Sequence, residues 1–295
     1  MTISANPTSY FSAPSPTLDP TLFQGRTLHN NVRTEINTIL NNYLSTKFNH
    51  PEIWAHAWLA GSGVSYQWSA NRQPGDLDCL VGVDFINFRR ANPSYQGLSD
   101  KEISLEINDG FKSELDVQTA NWNGYELTFY VNSTGTDIRN IKPYAAYDLK
   151  YDEWTVTPDP QARAPYNPEW EEVVKEDARK TQQIATRVLA GINEVQMSTN
   201  PAIKRNAESK VVSAGQQGVA LFHEIHSNRS QAFSPAGQGY NDFNNYRWQA
   251  GKREGTIQTL RSIGSKLAAM NTTSYGVDLP DATTLIRRAA TYRSQ

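Results

Sequence analysis

The chain has a single cysteine, Cys79, in 295 residues. That excludes an internal disulfide framework and a multi-cysteine metal site. Cys79 opens the apolar run Cys79-Leu80-Val81-Gly82-Val83 and reads as a small buried strand residue rather than a nucleophile. No apolar run nears the roughly 20 residues that cross a bilayer, so no membrane association is expected. Residues 1–20 lack a basic start and an apolar stretch, which argues against a secretory signal. Their Ser/Thr/Pro/Asn composition predicts a flexible arm. There is no internal repeat. A cytoplasmic location is the default expectation.

What is present is ordinary for a globular chain: 38% hydrophobic and 20% charged residues, enough to bury one large or two medium cores. Charge is uneven. Residues 1–157 carry 11 Lys+Arg against 17 Asp+Glu, and residues 158–295 carry 17 against 13. An acidic half that could hold metals and a basic half that could hold phosphates suit a nucleotide or RNA substrate.

Hydrophobic periodicity predicts an amphipathic helix over Asn30–Phe48 and strands at Trp54–Ala60 and Asp76–Phe85. A helix is expected over Ser99–Lys112, with Ser99 and Glu102 as a capping box. Strands Leu115–Ala120 and Tyr125–Asn132 are expected to form a hairpin through Asn121-Trp122-Asn123-Gly124. A further extended piece covers Ala145–Val156. Prolines 158, 160, 165 and 168 then break any regular element. Beyond them helices are expected at Glu169–Met197, Ala207–Phe233, Tyr240–Met270 and Ala282–Arg293. The expected organisation is an arm (1–20), a mixed α/β domain (21–157), a linker (158–168) and a helical domain (169–295), an α+β chain.

The chemistry centres on Asp76-Leu77-Asp78. Residues at i and i+2 of a strand point to one face, so the two carboxylates project together while Leu77 turns to a core. Like charges so placed call for a cation, and hard oxygen donors favour Mg²⁺ or Mn²⁺. The turn Gly61-Ser62-Gly63, at the end of the preceding strand, offers backbone N–H groups and a hydroxyl to an anion such as a triphosphate. A phosphate-holding turn beside a metal-holding carboxylate pair points to nucleotide chemistry.

The order of helix, strand, Gly-Ser, strand with Asp-x-Asp, and a later strand holding Tyr125-Glu126-Leu127 resembles the DNA polymerase β-type nucleotidyltransferase superfamily. The run Tyr125 to Val131, followed by Pro143-Tyr144-Ala145-Ala146-Tyr147-Asp148, looks like the nucleotidyltransferases of actinobacterial phages. The resemblance covers residues 54–131 and implies transfer of a nucleotidyl group from an NTP, ATP foremost, to an acceptor hydroxyl. RNA or tRNA, a nucleotide and a small molecule are all open as acceptors. It implies a polymerase β-like catalytic domain with an appended helical domain, in the host cytoplasm if phage-encoded.

On this resemblance Asp76, Asp78 and Glu126 are the catalytic and metal-holding carboxylates, with Glu126 near the attacking hydroxyl. Asp116 is a rival to Glu126. Gly61, Ser62 and Gly63 would hold phosphates, and Arg72 in the loop between the two strands could join them. The alternative function is a catalytically inactive protein of the same fold that binds nucleic acid or regulates.

In the helical half, His223 and His226 are spaced i, i+3 rather than as His-Glu-x-x-His, which argues against a zinc protease. His226, Arg229 and Arg247 are the candidate acceptor-binding residues, because cations interleaved with aromatics can hold phosphates and stack on bases. The acceptor is expected between the two domains.

Overall fold

The computed structural model describes residues 9–69, 75–131 and 137–274, with side chains from Tyr10 to Met270. Arg72 and the expected helix Ala282–Arg293 lie outside the described residues. The chain is α+β and divides into two compact units, residues 12–163 and residues 164–274 together with 9–11. The division falls inside the proline-bearing segment.

The first unit opens with a small ribbon, β1 (Phe23–Gln24) and β2 (Thr27–Leu28), closed by Gly25 at φ 63°. Helix α1 (Asn30–Lys47) follows, and Val32, Ile36, Leu40 and Leu44 form its buried stripe at the predicted spacing. A short helix α2 (Pro51–Trp54) leads into β3 (Ala55–Ala60), and β4 spans Gly75–Val83. β4 ends sooner than expected because Asp84 caps helix α3 (Phe85–Ala91): its carboxylate accepts from the amides of Ile86 and Asn87.

Helix α4 (Asp100–Gly110) carries the expected capping box. The Ser99 hydroxyl accepts from Glu102 N, and Ser99 N donates to Glu102 Oε2 at 2.8 Å. A π turn (Phe111–Leu115) then runs into helix α5 (Asp116–Gln118) and strand β5 (Tyr125–Val131). β6 (Ala146–Asp148) and β7 (Glu153–Val156) close the sheet.

The strand order is β5-β4-β3-β6-β7. β4 and β5 are parallel, and every other pair is antiparallel. A parallel pair needs a long crossover, which α3 and α4 supply. One sheet face carries Leu59, Leu77, Cys79, Val81, Leu127, Phe129 and Val131 into a core shared with α1 and α4. The other face packs a smaller group around Trp58, Leu80, Ile138 and Ile141.

The expected hairpin strand Leu115–Ala120 is a correction: this segment is helical to Gln118 and then turns. The Asn123-Gly124 turn does form, with φ 49° and 85°, and bridges Trp122 to Tyr125. The outer edge of β5 is nevertheless taken by other groups. Its amides at Tyr125, Leu127, Phe129 and Val131 donate to Trp122 O, Thr119 O, Asp116 Oδ1 and Asn108 Oδ1. Two backbone carbonyls and the side chains of two helical residues, Asp116 and Asn108, thus satisfy the edge that a hairpin partner would have used.

The arm expected over 1–20 is also corrected where it is described. The Tyr10 hydroxyl donates to Tyr240 O in the helical unit, and in the sheet unit Ser15 N donates to Tyr66 O while Leu18 and Asp19 are buried. A few anchoring side chains outweigh a polar average composition.

The helical unit holds α6 (Pro168–Met197), α7 (Pro201–Ala232), α8 (Phe243–Arg253) and α9 (Thr256–Ser274). Asn167, Asn200 and Asp242 cap α6, α7 and α8, and each of the first two precedes a proline at the first helical position. The single helix expected over Tyr240–Met270 is split at Gly255, whose φ of 74° ends α8. Ile184, Val188, Val211, Ile225, Trp248, Leu260 and Ile263 form this unit's core. No helix among the described residues is long and apolar enough to cross a membrane.

Candidate active site

The candidate site lies in the sheet unit, on the face turned away from the main core. Parallel pairing sets Asp76 opposite Glu126 and Asp78 opposite Thr128. Paired residues of a ladder aim to the same side, and alternation places both rungs on one face. Burial agrees: Leu77, Cys79 and Leu127 are fully buried on the other face, while Asp76 and Asp78 are partly exposed and Glu126 is exposed. The sequence-predicted carboxylates therefore share two adjacent rungs.

The Gly61-Ser62-Gly63 turn sits directly against this segment. Gly61 has φ 87°, and a Cβ built on it would lie 2.7 Å from Asp78 Oδ2. A Cβ on Gly63 would lie 2.5 Å from Asp76 O. Gly63 is required by its close approach to backbone, and Gly61 by its left-handed backbone conformation, with the Asp78 carboxylate close beside it. Ser65 ties the turn down by donating to Ser62 O through both its amide (3.1 Å) and its hydroxyl (3.0 Å).

Asp116 does not share this row. Its carboxylate accepts from Phe129 N at the sheet edge, and burial holds its pKa above the usual carboxylate range. Of the two rivals, Glu126 is the one on the face of Asp76 and Asp78. Cys79 is buried as expected; burial, then the charges of Asp78 and Asp116, push its thiol pKa up.

Two features escape sequence reasoning. Thr128 Oγ1 donates to Asp78 Oδ1 at 3.4 Å, and the spacing Glu126-x-Thr128 along a strand could have signalled it. The Tyr125 hydroxyl donates to buried Asp19 Oδ2 at 2.6 Å, across 106 residues. The Tyr125 ring also covers Gly75, where a Cβ would come within 2.7 Å of it. This clamp fixes the starts of β4 and β5, next to the Asp76–Glu126 rung.

Metal fit rests on the donor set. Three hard carboxylates on one face, in neighbouring rungs, match the oxygen preference of Mg²⁺ or Mn²⁺. Among the described residues, no three His, Cys, Asp or Glu side chains close into a group able to hold a metal ion. The fit is thus one of donor chemistry and register.

The helical-unit candidates separate. Arg247 is buried: its Nε donates to Asp177 Oδ2 at 2.6 Å, its Nη2 to Oδ1 at 2.9 Å and its Nη1 to Glu224 Oε1 at 2.8 Å. It is committed to a structural ion network and is corrected as an acceptor-facing residue. His226 and Arg229 remain near the surface. Burial, then the charges of Arg229, Arg261 and His223, hold the His226 imidazole below its ordinary pKa.

No protein-family model, no curated protein and no solved structure matches this chain.

Proposed function

We propose that the chain is a metal-dependent nucleotidyltransferase of the polymerase β type, moving a nucleotidyl group from an NTP to an acceptor hydroxyl. The observation that carries this reading is the glycine turn pressed against the Asp76–Asp78 segment, with Glu126 opposite Asp76 on the neighbouring strand. The glycine turn and the carboxylate row are side by side in the fold, not only in the sequence.

Asp76, Asp78 and Glu126 would hold Mg²⁺ or Mn²⁺, which supplies charge neutralisation for the phosphates and the attacking oxygen. The amides of the Gly61–Gly63 turn and the Ser62 hydroxyl would orient the β- and γ-phosphates. Glu126, the most exposed of the three carboxylates, would accept the proton of the acceptor hydroxyl as its oxygen bonds to the α-phosphorus. The bond from that phosphorus to the β-phosphate breaks, and pyrophosphate leaves with the electron pair. Positioning and charge stabilisation carry most of the rate in such transfers.

The test is Mg²⁺-dependent transfer of label from α-labelled NTP into nucleotide, RNA and small-molecule acceptors. Transfer is expected from the wild type and lost in Asp76→Asn/Asp78→Asn. Nucleic-acid binding that the double variant keeps, with no transfer by either protein, supports the inactive-module reading instead.

A further inference from the structure

In the helical unit α9 lies close against α7. A Cβ on Gly218 would sit 3.0 Å from Ile263 Cγ2, and one on Gly215 would sit 3.3 Å from Leu267. Later α7 residues meet earlier α9 residues, so the helices run antiparallel, and Arg261 of α9 arrives beside Phe222 of α7.

The result is a cationic cluster built on aromatic rings. The Arg229 guanidinium lies 5.2 Å from the Trp248 ring centre and that of Arg261 5.7 Å from the same ring. His226 stacks on Phe222 at 5.7 Å and 18°. On α7, His223, His226 and Arg229 follow at three-residue spacing and share one stripe.

Among the described residues no carboxylate pairs with this cluster: neither Arg229 nor Arg261 forms an ion pair, and Arg229 Nε is buried without a hydrogen-bond partner. Glu224, the nearest acid in the α7 sequence, is held by Arg247. Helix α9 contains Arg261 and Lys266 and no acidic residue. Both guanidiniums are held over the buried Trp248 ring.

We propose that Arg229, Arg261 and His226 form a phosphate-binding site on the helical unit that takes the phosphodiester backbone of single-stranded nucleic acid. Planar guanidinium forks match phosphate oxygens. The stacked His226 and Phe222 rings give a neighbouring base a π surface, the combination that single-strand binders use. Burial, then the charges of Arg229, Arg261 and His223, lower the His226 pKa, and a bound anion would offset the second of these effects. This site is built from residues of the helical unit alone and does not depend on transfer activity.

The test is fluorescence anisotropy of a labelled single-stranded oligonucleotide with the full chain, across salt concentrations. Arg229→Gln/Arg261→Gln is expected to bind at least tenfold more weakly. Losing two phosphate contacts should also flatten the log–log salt slope by about 1.4. Arg261→Gln alone alters only an exposed residue and is expected to bind at least threefold more weakly with its circular dichroism unchanged. The His226 ring resonance in the wild type is expected to shift on oligonucleotide addition. Unchanged affinity and slope in both variants overturn the proposal. Displacement by ATP or inorganic phosphate as effective as by unlabelled oligonucleotide, or equal displacement by polyglutamate, overturns the nucleic-acid assignment.

Discussion

Asp76 and Glu126 face each other across the parallel β4–β5 ladder, fifty residues apart in sequence and on one rung of the sheet. Their pairing depends on the α4 crossover returning the chain alongside β4, and on β5 entering in the register that the Tyr125–Asp19 clamp fixes. A one-residue slip would turn Glu126 into the core and Leu127 out.

Glu126→Gln is expected to slow nucleotidyl transfer about 10²–10⁴-fold, the usual contribution of a positioned base. ATP affinity should change little. Asp116→Asn is the control: it should leave transfer near wild type while weakening the edge bond to Phe129 N, costing on the order of 1 kcal/mol. Steady-state kinetics and urea denaturation of both variants check this. A larger rate loss in Asp116→Asn than in Glu126→Gln reverses the assignment.

Gly61→Ala is expected to destabilise the sheet unit by about 1–3 kcal/mol, since it forces a side chain to φ 87° and into the Asp78 carboxylate. The two causes separate in a double-mutant cycle. Asp78→Ala in the Gly61→Ala background removes the contact but not the backbone strain, so part of the loss should be recovered as a coupling of about 0.5–3 kcal/mol. Additive losses in thermal or urea unfolding rule out the close approach.

Sequence alone locates the carboxylate row because strand alternation is local: Asp76-Leu77-Asp78 fixes its own faces once β4 is recognised. The capping box at Ser99 is legible for the same reason. The hairpin is not, although its Asn123-Gly124 turn is read correctly. What decides against a strand before that turn is a set of side-chain bonds from Asn108 and Asp116 to the edge of β5, which no periodicity encodes. Arg247 fails in the same way. An arginine among aromatics reads as ligand-facing until a carboxylate seventy residues earlier, Asp177, is found beside it.

Alkaline pH should unfold the chain partly through Tyr125. Burial and the bond to Asp19 raise its pKa above the ordinary value of 10. The unfolded tyrosine therefore loses its proton first as pH rises. The stability it contributes is whole below pH 10 and declines as pH climbs through the higher folded value. Tyr125→Phe is expected to cost about 1 kcal/mol at neutral pH through the lost hydrogen bond. It should also unfold less steeply with pH above 10 than the wild type. Tyr246, pushed up to about 12 by burial and Glu171, adds a parallel slope that the variant keeps. Equal slopes for the two proteins contradict the buried Tyr125–Asp19 bond.

Breaking the Arg247–Asp177 pair should damage the helical unit far more than replacing it. Arg247 donates twice to a carboxylate that is itself nearly inaccessible, and these bonds hold the arginine's pKa above its ordinary value. Asp177→Ala leaves a buried guanidinium with only Glu224, and Arg247→Ala leaves a buried carboxylate. Each is expected to cost about 3–5 kcal/mol. Arg247→Met/Asp177→Leu removes both charges while keeping volume, and should be much nearer wild type than either single variant. Thermal unfolding of all three, with oligonucleotide binding alongside, separates structure from recognition. If Arg247 only holds the helices together, the double variant binds like wild type. Weaker binding by a stably folded double variant returns Arg247 to the phosphate site beside Arg229 and Arg261.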